Sequence, residues 1–235
     1  MMEGKTQIIA HRGYWQTEPP TAENSLQALE NAQKLDIDGT EFDIRMSKDG
    51  VLIIYHDEHY ESREISETQF SDLKKLKLKN DERIPTLKEY LEKGKEIPTL
   101  KLMLELKPLK SKVKESELVQ KAIQLVNELH LGSQCEFISF SLNICEQLKK
   151  EKSTLKVHYL NGNLSPLEIN EKGLDGLDYH YSIFLKNKTW ISQAKNLGLT
   201  TNSWTINDLG VFNHLKEQGI DCITTDVPHL FLNNN

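Results

Sequence analysis

The chain is 235 residues long and carries 29 basic against 35 acidic side chains, a net charge of −6. A mean hydropathy of −0.54, with no apolar run near the ~20 residues of a spanning helix, excludes an integral membrane segment. The acidic balance excludes a nucleic-acid-coating protein, which needs a Lys/Arg excess to neutralise phosphates, and still allows a local basic pocket for a small phosphate.

The N-terminal MMEGKTQIIAHRG has no apolar signal region, so the chain as given reads as cytosolic. A periplasmic or secreted location requires a leader removed before this sequence begins. From there, β-rich runs cover residues 7–10, 40–46, 51–56, 100–107, 136–140, 156–160, 177–181, 201–205 and 222–225. Between most of them lie helical patterns: ENSLQALENAQKL, TLKEYLEKG, ESELVQKAIQLVNELH, NICEQLKKEK, TWISQAKNLG and NDLGVFNHLKEQG. Asp49-Gly50 reads as a hairpin turn joining two of the runs. Counting that hairpin as one unit leaves eight β/α repeats, the number that closes a (β/α)8 TIM barrel. An open doubly wound sheet is the alternative, but no GxGxxG or P-loop sequence follows any run. No linker or composition shift divides the chain, so residues 1–235 read as one domain. Cys135, Cys145 and Cys222 form no CxxC and read as buried thiols.

In a barrel the active site lies at the C-terminal ends of the strands. Those ends carry His11-Arg12-Gly13, Glu41-Phe42-Asp43, His56-Asp57, Glu105-Leu106-Lys107, Tyr159, His180 and Trp204. Glu41 and Asp43 are two apart and share a face, while Phe42 and Ile44 take the other; Glu105 and Lys107 repeat the arrangement. Three carboxylates converging in a barrel mouth repel one another, and a divalent cation resolves this. All-oxygen ligands suit Mg²⁺ or Ca²⁺ rather than Zn²⁺. The alternative is a salt bridge at the strand end, for example Glu41 with Arg45. His11 and His56 can divide acid and base work near neutral pH. Arg12 and Lys107 supply cationic donors for an oxyanion. Together these groups describe phosphoryl transfer from a small phosphoester; sugar isomerisation or enolisation makes less use of Arg12. Tyr159 and His180 are candidate pocket residues, and the remaining histidines read as surface or structural.

At these residues the chain resembles the glycerophosphodiester phosphodiesterase family. IIAHRG, ENS, GTEFDIRMSKDGVLIIYHD, LELK, WTIN and GIDCITTDVP follow in the family's order, from Ile8 to Pro228. The resemblance implies a TIM barrel that hydrolyses glycerophosphodiesters to glycerol 3-phosphate and an alcohol. It implies His11 and His56 as the catalytic pair and Glu41, Asp43 and Glu105 as ligands of one divalent cation. It further implies Arg12 and Lys107 as phosphate contacts and Trp204 as an aromatic wall near the glycerol. TEPPTAENS replaces the family's commoner PENT form, and EHYESREIS follows His56-Asp57 where an Arg-Thr pair is common. The resemblance also implies that the family's variable insertion falls at about 57–99, after the second β unit. These differences bear on substrate range rather than on the reaction. Rival readings are a cyclising phospholipase D-like lyase, which stops at a cyclic phosphate, and a catalytically silent phosphodiester-binding barrel.

Overall fold

The β-rich runs become strands because their two faces meet different surroundings, the barrel lumen on one side and helices on the other. The computed structural model describes residues 5–232. In chain order it runs β1 (Gln7–Ala10), α1 (Leu26–Gln33), β2 (Gly39–Met46), β3 (Leu52–Ile54), β4 (His59–Tyr60), β5 (Arg63–Glu64), α2 (Phe70–Leu73) and α3 (Leu87–Gly94). It continues with β6 (Lys101–Leu106), α4 (Lys112–Glu128), β7 (Cys135–Ser139), α5 (Leu142–Glu151), β8 (Lys156–Tyr159) and α6 (Pro166–Glu171). The last elements are β9 (Gly176–His180), α7 (Tyr181–Lys186), α8 (Trp190–Asn196), β10 (Thr200–Trp204), α9 (Leu209–Glu217) and β11 (Cys222–Thr225).

Eight of the strands are parallel, in the order β1, β11, β10, β9, β8, β7, β6, β2, and β1 pairs with β2 to close the circle. The expected TIM-type barrel is therefore the fold, and the open sheet is not. β3 folds back antiparallel on β2, Ile44 opposite Ile54, through the turn at Asp49-Gly50. Gly50 adopts a φ of 79°, which a β-carbon would disfavour. No helix among the described residues is long and apolar enough to cross a membrane.

Several helices start on a side-chain cap. Ser25, Ser111 and Ser141 accept from the backbone of α1, α4 and α5, while Thr86–Glu89 and Ser165–Glu168 form capping boxes. The outer core holds Phe42, Ile44, Leu104 and Leu106 against the helices, as period 2 requires. Phe42 is fully buried, 4.4 Å from the Tyr90 ring. Truncating it to Ala should cost ~3–5 kcal/mol. The lumen is layered. Ile9, Met103, Ile138, Leu160 and Cys222 form an apolar middle. Toward the N-terminal strand ends, Glu136 binds Lys101 Nζ at 2.7 Å and His158 Nε2 at 2.8 Å. Gly176 makes room there, since a β-carbon would lie 2.3 Å from His158 Nδ1.

The structure adds elements that the sequence pattern does not announce. Residues 57–99 hold the β4–β5 ribbon and α2 as well as α3. α6 and α7 have six residues each, too few for a helical period to show. Tyr181 begins α7 rather than ending a strand, and the His180 side chain caps that helix by accepting from Ser182. All three cysteines are buried free thiols, as expected.

Candidate active site

Three carboxylates meet at the C-terminal mouth. Glu41 and Asp43 come from the inward face of β2 and Glu105 from that of β6, with Asp43 paired to Glu105 in register. One oxygen from each lies within 4.8 Å of the other two. The alternative, an ion pair of Glu41 with Arg45, is not formed among the described residues; Arg45 Nε instead donates to the His56 carbonyl at 2.8 Å. Burial, then the charges of Asp43 and Glu105, hold Glu41 well above the usual carboxylate range. Burial and the charge of Asp43 push Glu105 up to about 7. Burial also works to raise Asp43, but Lys107 and Arg12 overcome it and hold Asp43 well below its ordinary value. Lys107 Nζ sits between the two strands, 2.7 Å from Asp43 Oδ1 and 2.5 Å from Glu105 Oε1.

The loop after β1 wraps this cluster. Arg12 takes a left-handed φ of 57°, which turns its backbone N–H onto Glu41 Oε2 at 3.1 Å. Gly13 follows at φ 80° against α1, where a β-carbon would lie 2.7 Å from that of Ala28. The Arg12 side chain spans Glu23, at 2.8 Å, and Asp43, at 3.3 Å. Asn24, also left-handed, donates through Nδ2 to Asp43 Oδ2 at 2.7 Å and accepts from the Asp43 N–H at 3.2 Å. Asn24 thus fixes the rotamer of the central carboxylate. It belongs to the ENS motif, but nothing in the sequence shows its partner.

Each of the two histidines leans on a carboxylate. His11 Nδ1 pairs with Asp226 at 2.7 Å, leaving Nε2 3.9 Å from Glu41 Oε2. His56 lies in the loop two residues beyond β3, and its Nδ1 pairs with Asp57 at 2.7 Å. Burial holds the His56 imidazole below its usual pKa, although the charge of Asp43 works against it. Asp226 is a residue that sequence reasoning missed. Its only signal was position, a carboxylate directly after the last strand and so beside His11 once the barrel closes.

His11, Arg12, Glu41, His56, Glu105 and Lys107 line one cavity of about 110 Å³. Trp204 and Phe140 wall it, packed edge to face at 5.6 Å, and the Trp204 indole donates to the Asp178 carbonyl at 3.0 Å. Among the candidates, Tyr159 is not brought in: it is buried in the outer core against Tyr179. His180 stays at the border, edge-on to Trp204 at 5.2 Å.

The donor set suits a hard divalent cation: three carboxylates and no sulfur or imidazole in the cluster. Glu41 Oε1 is buried with no hydrogen-bond partner among the described residues. Such an orphaned acceptor is costly unless a cation or water completes it.

Comparison with known proteins agrees with this geometry. A sequence model of the glycerophosphoryl diester phosphodiesterase family matches residues 11–230. A glycerophosphodiester phosphodiesterase of Caldanaerobacter subterraneus is 26% identical over 243 residues, covering 97% of each chain. The crystal structure of a glycerophosphodiester phosphodiesterase from Parabacteroides distasonis superposes with a TM-score of 0.96 at 36% identity, covering 98% of each chain. An Oleispira antarctica phosphodiesterase, solved in complex with the product sn-glycerol-3-phosphate, gives 0.84 at 26% identity over 97% of this chain and 95% of that one. With its barrel, its site cluster and this likeness along nearly its whole length, the chain belongs to the glycerophosphoryl diester phosphodiesterase family of enzymes.

Proposed function

We propose that the enzyme hydrolyses glycerophosphodiesters to glycerol 3-phosphate and an alcohol, with His11 and His56 as base and acid. The observation that carries this reading is one cavity lined by both histidines, Glu41, Glu105 and two cationic side chains. The Oleispira relative, crystallised with glycerol 3-phosphate as its product, supports the product assignment.

Glu41, Asp43 and Glu105 would hold one divalent cation, Mg²⁺ or Ca²⁺, which when bound polarises a nonbridging phosphate oxygen and offsets developing charge. The protein's own groups do the rest. Asp226 holds His11 through Nδ1, so Nε2 is the nitrogen that takes a proton from the attacking hydroxyl. That hydroxyl belongs to water or to the glycerol C2, and its oxygen forms the new bond to phosphorus as the bond to the leaving alcohol breaks; in the second case the product is a cyclic phosphate, which water then opens to glycerol 3-phosphate. Asp57 holds His56 in the same way, so His56 Nε2 gives its proton to the departing oxygen. Arg12 and Lys107 face the phosphate oxygens as charge-assisted donors, and Trp204 packs against the glycerol.

Phosphorus NMR of glycerophosphocholine turnover, with and without chelator, tests the reading. Glycerol 3-phosphate should accumulate, and chelation should stop it. A cyclic phosphate as the end product would make the enzyme a lyase, and no turnover of this diester or of a p-nitrophenyl ester of glycerol phosphate would make it a silent barrel.

A further inference from the structure

His56 lines two cavities, and among the described residues no other side chain lines both. The smaller one holds His11 and the carboxylates. The larger, about 350 Å³, opens on the other side of His56, between the loop after β1 and the segment after β3. A phosphodiester has two ester arms, so a phosphorus beside His56 can send one into each cavity. The retained arm lies with Trp204 and the carboxylates. The arm that departs with a proton from His56 lies in the larger cavity, which therefore receives the leaving alcohol.

The wall of that cavity carries three aromatic rings, Trp15, Tyr55 and Tyr60, and three carboxylates, Glu23, Asp57 and Glu61. Tyr55 and Tyr60 meet at 5.8 Å between centroids, inclined by 42°, so they form a corner rather than a flat stack. The Tyr60 hydroxyl donates to the Lys77 carbonyl at 2.7 Å, which fixes the ring. An ammonium group is attracted by ring quadrupoles and by nearby carboxylates, an electrostatic attraction that a neutral polyol lacks. Lys77 and Lys79 complete the wall; they are exposed, as are Asp57 and Glu61, so these opposing charges are screened alike by water and salt. The three rings are half-buried and act at shorter range.

We propose that Trp15, Tyr55 and Tyr60, with Asp57 and Glu61, select a cationic amino-alcohol of the choline or ethanolamine class as the leaving head group. This deepens the hydrolase reading above and rests on it.

The test compares kcat/KM for glycerophosphocholine with that for its 3,3-dimethylbutyl analogue, in which carbon replaces the charged nitrogen and the shape is kept. The expected result is a ~10-fold or larger preference for the choline diester. The preference should shrink in Tyr60→Leu and, to a lesser degree, in Glu61→Gln, which removes charge without changing shape. Tyr60→Phe keeps the ring and should keep the preference, and Glu61→Gln carries the test if Tyr60→Leu fails to fold. Equal rates for the two diesters overturn the assignment, as does a preference that survives both Tyr60→Leu and Glu61→Gln. If neither diester is turned over, and a p-nitrophenyl ester of glycerol phosphate is inert too, the hydrolase reading itself falls. If both are turned over without preference, only the head-group assignment does.

Discussion

Asp226 Oδ1 lies 2.7 Å from His11 Nδ1, although the two residues are 215 apart in sequence. Barrel closure makes the contact, because β1 pairs with β11 in a register that sets Ala10 opposite Thr225. Asn207 Nδ2 holds the other Asp226 oxygen at 2.7 Å, so the carboxylate cannot swing away from the imidazole. Burial works to raise Asp226, yet the hydrogen bond and charge of His11 keep it below its ordinary value. A carboxylate in this place fixes the tautomer and the ring plane of a catalytic histidine. Asp226→Asn should therefore lower kcat by at least ~10-fold with KM little changed, while the fold persists. Steady-state kinetics decide it, and a normal kcat would leave Asp226 with a structural role alone.

His56 as the acid makes a distinct prediction. Removing it should lower kcat by ~10²-fold or more for an alkyl leaving group, and so should removing His11. A p-nitrophenyl leaving group needs little protonation, so it should rescue His56→Ala and leave His11→Ala impaired. The pH dependence follows from the lowered pKa of His56, caused first by burial. An acid must carry its proton, so activity on alkyl diesters should fall as pH rises through a value below the ~6.5 of a free imidazole. That limb should vanish with the p-nitrophenyl substrate. Persistence of the limb there would assign it to another group.

The strand ends were legible because a period of two and the barrel rule together say which residues face the lumen and which end is used. Glu41, Asp43, Glu105 and Lys107 could be placed on that basis before any contact was known. His11 could be placed by the same reasoning, whereas Asp226 and Asn24 could not be given partners. Their contacts depend on closure of β1 on β11 and on the left-handed turn at Asn24, neither of which has a period. The insertion was legible only as a charged stretch between patterned segments. Its two-residue strands and four-residue helix are too short to repeat anything. α6 and α7 escaped for the same reason, and the YSIFLK sequence of α7 reads as readily as a strand end.

Cation binding should release protons. Glu105 is pushed up to about 7, by burial first and then by Asp43, and Glu41 is held well above the usual range. A bound divalent cation needs these carboxylates ionised, so affinity should fall as pH drops below about 7. Calorimetry at pH 6 in two buffers of different ionisation enthalpy should show proton release on titration with Mg²⁺ or Ca²⁺. No release, or an affinity flat from pH 5 to pH 8, would place the cation elsewhere. Asp43→Asn keeps the shape and removes one charge, and should weaken binding without unfolding the protein.

Asp178 ties stability to pH in the metal-free protein. It is 1% exposed, and burial pushes its pKa up to about 7. Its Oδ2 accepts from Asn202 at 3.1 Å, while Oδ1 has no hydrogen-bond partner among the described residues. Between ~4 and about 7 the folded state holds a proton that the unfolded chain has lost, so stability should decline as pH rises across that window. Above it, the full cost, ~4 kcal/mol as an upper bound, is present. Asp178→Asn should flatten the decline and raise Tm at pH 8 more than at pH 5, measured in chelator. Equal shifts at both pH values would mean that Asp178 stays ionised throughout.

Lys107 can serve two masters, and one substitution separates them. Its ammonium contacts both Asp43 and Glu105 and is 6% exposed, so it already compensates two buried charges. It also lines the cavity where the phosphate would bind. Lys107→Met keeps most of the stem and removes the charge. If Lys107 contacts the diester, the loss of one charge-assisted hydrogen bond, worth ~1.5–3 kcal/mol, should lower kcat/KM by ~10- to 150-fold. Affinity for glycerol 3-phosphate should fall with it. If Lys107 only neutralises its neighbours, product affinity should be unchanged and affinity for the divalent cation should rise, because two carboxylates lose their competing partner. In that case the variant should also be less stable in chelator, by the ~3–5 kcal/mol of breaking a buried ion pair, and regain stability when Mg²⁺ or Ca²⁺ is added. Titrating the variant with cation and with glycerol 3-phosphate, alongside thermal melts, reads both arms, and unchanged product affinity would remove Lys107 from phosphate recognition.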